Sequence, residues 1–354
     1  MTAAPPPDAT GRGPAGTGMR GRLLVLLAAG VLLGAVAAVA VLHAAAQADR
    51  RNRVQAGGPQ VVSGKVALSG RVMVFRNMAF GPHRDELVSV PADRPDGVRT
   101  ASGVRCLRFY AAAGTGICLR AVSGTLQDAY RATVLDARLH VLHDYPVAGI
   151  PTRARVSPSG RLAAWTVFVG GDSYAGSNFS TRTSMVDSRT WTLTASLETY
   201  RIVLAGRTYH AADVNVWGVT FADDGHFYAT LATGGKTYLV RGDIAARTMT
   251  TLRTNVECPS LSPDGTRLVF KKRVSGLPAD APWRLYVLDL RTMRESPLAE
   301  RRSVDDQVVW NGDRTIVYAL AGDYGADLWT LPADGTGAPR KLTSAALAPA
   351  YVQP

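Results

Sequence analysis

A strand–turn–strand pattern that recurs four times after residue 60 constrains the fold more than any other feature of the chain. Its copies are ARVSPSGRLAAWTV (154–167), VTFADDGHFYATLA (219–232), PSLSPDGTRLVFKK (259–272) and VVWNGDRTIVYALA (308–321). A second strand pair follows each copy. A unit of about 40–50 residues with four strands is typical of one propeller blade. Because one blade cannot cover both of its faces alone, the repeat predicts blades packed radially around an axis.

The turns inside the repeat have residues that suit a tight bend. In SPDG, Pro263 presets φ, Asp264 bonds to the local backbone, and Gly265 is expected to adopt a positive φ. The equivalent repeat-turn residues in the other copies are Pro158, Gly160, Asp224 and Gly225. We interpret all of them as structural.

At roughly 45–50 residues per blade, residues 61–354 predict six blades. We place them near 71–104, 105–152, 153–214, 215–257, 258–306 and 307–354, and attribute the length of the third to the insertion GGDSYAGSNF. The first blade opens with GRVMVFRN and lacks its first strand, which the C-terminal LAPAYVQP matches. We therefore expect Ala348–Val352 to supply the inner strand of the first blade, which would close the ring and remove its open edges.

An uncharged apolar run of 20 residues, Leu23–Leu42, precedes this region. About 20 such residues span the hydrocarbon core of a bilayer. The predicted organisation is a disordered cytoplasmic tail (1–22), a transmembrane helix (23–46), a linker (47–60) and the propeller (61–354). The fold class is thus an all-β six-bladed β-propeller preceded by a single N-terminal transmembrane helix. Secretion after cleavage near Ala48 is the alternative.

Two of the three cysteines indicate on which side of the membrane the propeller lies. Cys106 and Cys118 belong to two alternating runs around the turn AAGTG. If this hairpin folds near Ala112, the two residues oppose each other at a Cα distance that suits a disulfide. A disulfide would indicate an oxidising, extracytoplasmic space, whereas two free core thiols are the alternative. Cys258 is left as a free core thiol.

The repeat LSPDGTRLVFKK, together with RLYVLDLRT, resembles the WD-like propeller repeat of the TolB family. The resemblance covers about residues 60–354. It implies a six-bladed extracytoplasmic propeller that serves as a binding platform and not as a catalyst, and it supplies no active-site residues. TolB proteins carry an α/β domain before the propeller, where this chain has an apolar helix.

Composition and motifs argue against several other functions. The net charge of +12 comes from scattered arginines without a basic stripe, so we predict no nucleic-acid partner. His140 and His143 would point to opposite faces of a strand, and the acidic pairs at 223–224 and 305–306 suit turns. We predict no metal site and no cofactor.

The segment GDSYAG (171–176) resembles the nucleophile elbow of a serine peptidase. A working elbow requires a helix after the serine, but SNFSTRTSMVDSRTWTL follows here and has no helical period. We therefore interpret Ser173 as a loop residue and expect no enzyme. The insertion could still present binding residues on a rigid scaffold. These binding-loop candidates are Asp172, Ser173, Tyr174, Asn178 and Phe179.

These observations favour a non-catalytic extracytoplasmic scaffold that is bound to the membrane by its helix and recognises a protein or cell-envelope partner. The alternatives are a propeller enzyme of the hydrolase or lactonase type and a small-ligand sensor, either of which would use the central channel. Acids and histidines converging from the inner strands would favour an enzyme, whereas a channel without carboxylates would oppose one.

Overall fold

The computed structural model describes residues 19–54, 57–124, 129–169 and 180–352. The chain divides into two compact units, residues 1–53 and residues 54–354. The five binding-loop candidates predicted above lie outside the described residues, as does most of the predicted tail.

The first unit contains helix α1, Met19–Asn52. Its section Met19–Asp49 is long and apolar enough to cross a membrane, and none of its apolar window is buried. The helix begins before the predicted span 23–46 and ends after it. The added residues are mostly arginine, alanine and glutamine, which are good helix formers, so the helix continues past the apolar run.

The second unit is a ring of six sheets, as the repeat predicted. The first sheet contains β1 (Val61–Ser63), β2 (Val72–Asn77), β3 (Glu86–Pro91) and β4 (Arg99–Arg105). The second contains β5 (Arg108–Ala112), β6 (Thr115–Val122), β7 (Ala129–Leu135) and β8 (Val141–Val147). The third contains β9 (Ile150–Val156), β10 (Leu162–Val169), β11 (Ser180–Asp187) and β12 (Thr192–Thr194).

A short 3₁₀ helix (Leu197–Thr199) leads to the remaining sheets. The fourth contains β13 (Arg201–Leu204), β14 (Arg207–Tyr209), β15 (Asn215–Phe221), β16 (His226–Thr233), β17 (Lys236–Asp243) and β18 (Thr248–Thr254). The fifth contains β19 (Glu257–Leu261), β20 (Arg267–Arg273), β21 (Trp283–Asp289) and β22 (Glu295–Pro297). The sixth contains β23 (Val309–Asn311), β24 (Thr315–Leu320), β25 (Asp327–Pro332) and β26 (Arg340–Thr343), after which comes β27 (Ala346–Val352).

The hairpin β13–β14 corrects one predicted blade boundary. The repeat assigns residues 153–214 to the third blade, but β13 pairs in parallel with β18 and extends the outer edge of the fourth sheet. Tyr200 and Ile202 are buried at the junction of the third and fourth blades, against Phe227 and Met249. This burial holds the hairpin on the fourth blade.

The C-terminal strand closes the ring, in agreement with the exchange expected for Ala348–Val352. Strand β27 pairs antiparallel with β2, from Val72 opposite Val352 to Asn77 opposite Ala346. The buried side chain of Arg99 fastens the same junction. Its guanidinium donates to Asn77 Oδ1 at 2.6 Å and to the carbonyl oxygen of Ala345 at 3.0 Å. Burial lowers the pKa of Arg99 to about 10.

A cluster of buried apolar side chains fills each of the six junctions between neighbouring blades. One cluster, for example, joins Phe75 and Val88 of the first blade to Val317 and Leu328 of the sixth. Each such side chain contributes about 1.5–3 kcal/mol when it is fully buried. The blades therefore stabilise one another, which is the physical reason for the repeat.

The structure contains the predicted disulfide between Cys106 and Cys118, with a Cα–Cα distance of 5.4 Å. The predicted hairpin register was wrong, however, because Cys118 is opposite Phe109. Cys106 instead lies in the link between β4 and β5, directly beside β6. The hairpin turns at Ala113–Gly114 and not at Ala112, because both residues adopt positive φ, and the partner of Cys118 is therefore three residues further along the chain than expected. Cys258 is a buried free thiol.

The glycines of the repeat turns do not all adopt the same backbone conformation. Gly160 and Gly265 adopt positive φ (77° and 70°), as the SPDG pattern predicts. Gly225 does not, because the carboxylate of Asp223 closes that turn by accepting hydrogen bonds from the backbone N–H groups of Gly225 and His226. The expectation of a left-handed glycine was therefore wrong for the ADDG copy.

Candidate functional site

The first strand of each blade lies next to the central axis. These inner strands are β27, β5, β9, β15, β19 and β23, and each contacts the next around the ring. The six-fold arrangement leaves a channel along the axis. What this channel contains decides whether a ligand can enter it.

Residues 301–308, which we call the channel segment, lead from the fifth blade into this channel. Val304 and Val308 are fully buried, and Gln307 is 8% exposed. The Gln307 amide nitrogen is within hydrogen-bond distance of three carbonyl oxygens on neighbouring inner strands. Its distances are 3.2 Å to Gly218, 3.1 Å to Val219 and 2.6 Å to Pro259. The segment is therefore anchored across the channel.

Asp306 of the channel segment lies between two arginines of different blades. Its carboxylate oxygens are 3.0 Å from Arg108 Nη1 and 3.6 Å from Arg153 Nη1. Burial by itself would raise the pKa of Asp306, but the two guanidinium charges outweigh it and lower the pKa to about 2. Asp306 is thus ionised at neutral pH and cannot serve as a general base near pH 7.

A second charged group surrounds Lys271 of β20, whose side chain is fully buried. Its ammonium contacts the carboxylate of Asp305, lies 3.8 Å from Glu257 Oε2, and is 4.1 Å from the ring centroid of Trp283. Burial lowers the pKa of Lys271, but the neighbouring Cys258, Asp305 and Glu257 raise it above its ordinary value. This lysine stays protonated and is not a nucleophile.

Among the described residues, the channel is therefore largely filled by its own side chains. The space left between Tyr110, Arg155, Tyr318 and the channel segment has a volume of about 30 Å³, far below the roughly 300–1,000 Å³ of ligand pockets. The channel does contain carboxylates, so the simplest criterion against an enzyme is not met. Each of them is paired with a cation, and within the described residues no group of three histidine, cysteine or acidic side chains could hold a metal ion.

The two mouths of the ring differ in what they present. We call one side of the ring the loop face; there the second and third strands of each blade are joined. We call the opposite side the turn face; there the repeat turns lie. The predicted binding loop follows β10 in the chain and lies outside the described residues. The loop face carries an open groove of about 500 Å³ between the fourth and fifth blades.

Two basic side chains, Lys236 and Arg273, line this groove with Thr237, Asn255 and Ser275. Asn255 and Arg273 exchange hydrogen bonds, with the Asn255 amide donating to the Arg273 carbonyl oxygen at 2.9 Å and accepting from its backbone N–H at 3.0 Å. Arg273 Nε donates to Glu257 at 2.8 Å, and 46% of the Arg273 side chain stays exposed. The groove therefore has a hydrogen-bonded wall and carries two basic side chains, of which Arg273 is paired with Glu257.

On the turn face, the repeat-turn residues contact one another. The hydroxyl of Ser157, next to Pro158, donates to Asp224 of the next blade at 3.2 Å. The backbone N–H of Asp264 donates to Asp313 of the following blade at 3.0 Å. These contacts link neighbouring blades, so the turn acids have a structural role.

The sequence interpretation missed the residues that fill the channel, above all Arg108, Arg153, Arg155 and Gln307. A signal was present in PTRAR (151–155), where two arginines occupy alternate positions of an inner strand that should be apolar or uncharged. The contact between Asp306 and these arginines had no local signal. It joins residues about 150 positions or more apart in the chain.

The comparisons with known proteins agree with the fold. No protein-family model matches the chain, and no curated protein matches it. Among solved structures, TolB from Acinetobacter baumannii is similar with a TM-score of 0.50 and 17% identity, over 81% of this chain and 68% of that chain. A puromycin-hydrolyzing peptidase from Mycobacterium tuberculosis gives a TM-score of 0.47 and 15% identity, over 82% and 47%. At 17% identity, the similarity to TolB shows the six-bladed propeller fold.

Proposed function

We propose that this protein is a non-catalytic binding platform whose propeller lies outside the cytoplasm and recognises a protein or cell-envelope partner at its loop face. The observation that carries the proposal is the filled channel, which leaves about 30 Å³. A propeller enzyme needs a pocket for its substrate and a free acid or base beside it. Recognition at a mouth of the ring requires neither of these.

The groove between the fourth and fifth blades favours one kind of partner. Lys236 is exposed and Arg273 is half-exposed, so both can reach an incoming negative charge. The groove is open and has a volume of about 500 Å³, which is room for a few side chains of a partner. We infer that it binds an acidic peptide segment of a partner protein, and that opposite charges increase the association rate.

Two features support the proposed location. Helix α1 has the length and composition of a membrane anchor or a signal peptide. The disulfide between Cys106 and Cys118 fits an oxidising compartment, because disulfides are rare in the cytosol. Cleavage near Ala48 would release the propeller without changing its compartment.

The experiment places a photo-crosslinking amino acid at Lys236 of the full chain in its native membrane. Irradiation is expected to give a covalent adduct with one protein, which mass spectrometry then identifies. The same amino acid at Arg189, an exposed residue of the turn face, is the matched control. The proposal requires that Lys236→Glu abolishes co-purification of the adduct protein with the full chain, while Arg189→Glu preserves it. Equal adducts at both positions, or full binding by Lys236→Glu, would contradict it.

A further inference from the structure

The charged group of Arg273 is held more firmly than that of Lys236, the other basic residue of the groove. Arg273 Nε donates to the carboxylate of Glu257 at 2.8 Å, and Glu257 is only 1% exposed. The guanidinium carbon lies 4.8 Å from the ring centroid of Trp283, which is 4% exposed. Two buried side chains of the fifth blade therefore fix the orientation of this guanidinium.

The backbone of Arg273 is fixed as well. Asn255 bonds to both its N–H and its carbonyl oxygen, and Arg273 lies opposite Trp283 where β20 pairs with β21. Within the described residues, no hydrogen bond or ion pair involves the exposed Lys236 ammonium. Because Arg273 is ordered before a ligand arrives, it loses little conformational freedom on binding, whereas Lys236 would lose more.

The end of the Arg273 guanidinium is left for a ligand. Glu257 accepts the hydrogen bond from Nε, but no hydrogen bond in the described part of the chain involves Nη1 or Nη2. Because 46% of the side chain is exposed, these nitrogens can be reached from the groove. Two adjacent N–H donors match the two oxygens of a carboxylate. The exposed hydroxyls of Thr254 and Ser275 line the same groove and offer further donors.

The pairing of Arg273 with Glu257 favours a carboxylate over a phosphate. The attraction of the guanidinium grows in proportion to the charge of the ligand, and the nearby Glu257 carboxylate reduces it. The cost of removing a ligand from water grows with the square of its charge in the Born description. A phosphate group carries about two negative charges at neutral pH, so its larger desolvation cost is not met by a guanidinium that is already paired.

We propose that Arg273 is the specificity-determining residue of the groove, and that its Nη1 and Nη2 donate two parallel hydrogen bonds to one carboxylate of the partner. Glu257 and Trp283 are positioning residues, and Lys236 adds charge that increases the association rate. The inference rests on the proposed function, since it names the group that the groove recognises. That carboxylate belongs to an acidic side chain or to a chain terminus, and both present the same two oxygens.

Fluorescence anisotropy of labelled synthetic peptides on the natural full chain in detergent tests which group is recognised. The probe is a short peptide of alternating glutamate and glycine, acetylated and amidated at its ends. Three comparison peptides have glutamine in place of glutamate, glutamine with a free terminal carboxylate, and phosphoserine in place of glutamate. We expect a carboxylate peptide to bind most tightly, and which of the two binds identifies the source of the carboxylate. Equal or tighter binding of the phosphoserine or the uncharged peptide, or no binding of either carboxylate peptide, would overturn the proposal.

A substitution that keeps the charge gives a second test. Arg273→Lys retains a cation beside Glu257 but loses the pair of nitrogens, so it should weaken binding of the carboxylate peptide about tenfold or more. Arg189→Lys, at the exposed turn face, is the matched control and should bind as the natural chain does. Unchanged unfolding temperatures of both variants would show that the loss concerns recognition and not folding, and the peptide comparison needs no variant.

The outcomes separate this inference from the proposed function. If Arg273→Lys binds the peptide as tightly as the natural chain, the inference is wrong, even where the crosslink at Lys236 identifies a partner. If peptide binding depends on Arg273 but Lys236 gives no adduct, the carboxylate site stands and the proposed protein partner at the groove is wrong.

Discussion

Replacing Asp306 by asparagine should destabilise the propeller strongly, because it removes the carboxylate between Arg108 and Arg153 while keeping the size of the side chain. The fall of the Asp306 pKa from its ordinary value of 3.8 to about 2 corresponds to about 2 kcal/mol of stability at neutral pH. Because the Arg153 side chain is buried and that of Arg108 is only 24% exposed, removing the carboxylate that they share increases the loss to about 3–5 kcal/mol.

Tryptophan fluorescence in a denaturant titration measures this loss for the propeller alone, since helix α1 contains no tryptophan and all six lie in the second unit. Asp323→Asn changes the same charge at an exposed position and serves as the control. The control should stay within about 0.5 kcal/mol of the natural chain. If Asp306→Asn is no less stable than Asp323→Asn, the channel charges do not stabilise the ring and the reasoning fails.

The pH dependence of the same variant provides an independent check. Because the folded-state pKa of Asp306 is depressed, its contribution is fully present above the unfolded value of 3.8 and is lost as the pH falls through about 2. The stability difference between the natural chain and Asp306→Asn should therefore be constant from pH 7 to about pH 5 and shrink between about pH 4 and pH 2. A difference that stays constant down to pH 2 would show that another group carries the effect.

Three further perturbations probe other parts of the propeller. Replacing Cys106 and Cys118 by serine should cost about 2–4 kcal/mol, measured by thermal unfolding, and a reductant should then have no further effect. Gly218→Ala should be destabilising by more than 1 kcal/mol, because φ is +65° and the new Cβ would lie 2.8 Å from a backbone atom of β19. Gly235→Ala, with a similar φ of +69° but open space around it, should cost clearly less in the same denaturation assay. A chain that ends before Ala346 lacks β27 and should be cleaved by proteases that leave the full-length propeller intact, whereas equal resistance would show that the ring does not depend on its closing strand.

The disulfide hairpin shows one structural detail that the sequence predicts and one that it does not. The sequence predicts that Cys106 and Cys118 pair, and they do. It places them directly opposite each other, which they are not, because the conformation of Ala113 and Gly114 shifts the turn. Turn conformation depends on a few φ angles that residue type only biases, so a register can be wrong by a residue or more while the pairing is right.

The sequence by itself determined the apolar helix, the six blades and the exchange that closes the ring. These follow from local composition, from a repeat of about 40–50 residues and from the match between the two ends of the propeller. The tertiary structure alone decided that β13 and β14 join the fourth blade and that the channel is filled by Asp306, Gln307 and the surrounding arginines. Such contacts join residues of different blades, and only the closed ring brings them together. A repeat specifies how each blade folds, but what fills the channel depends on single side chains of different blades that the closed ring brings together.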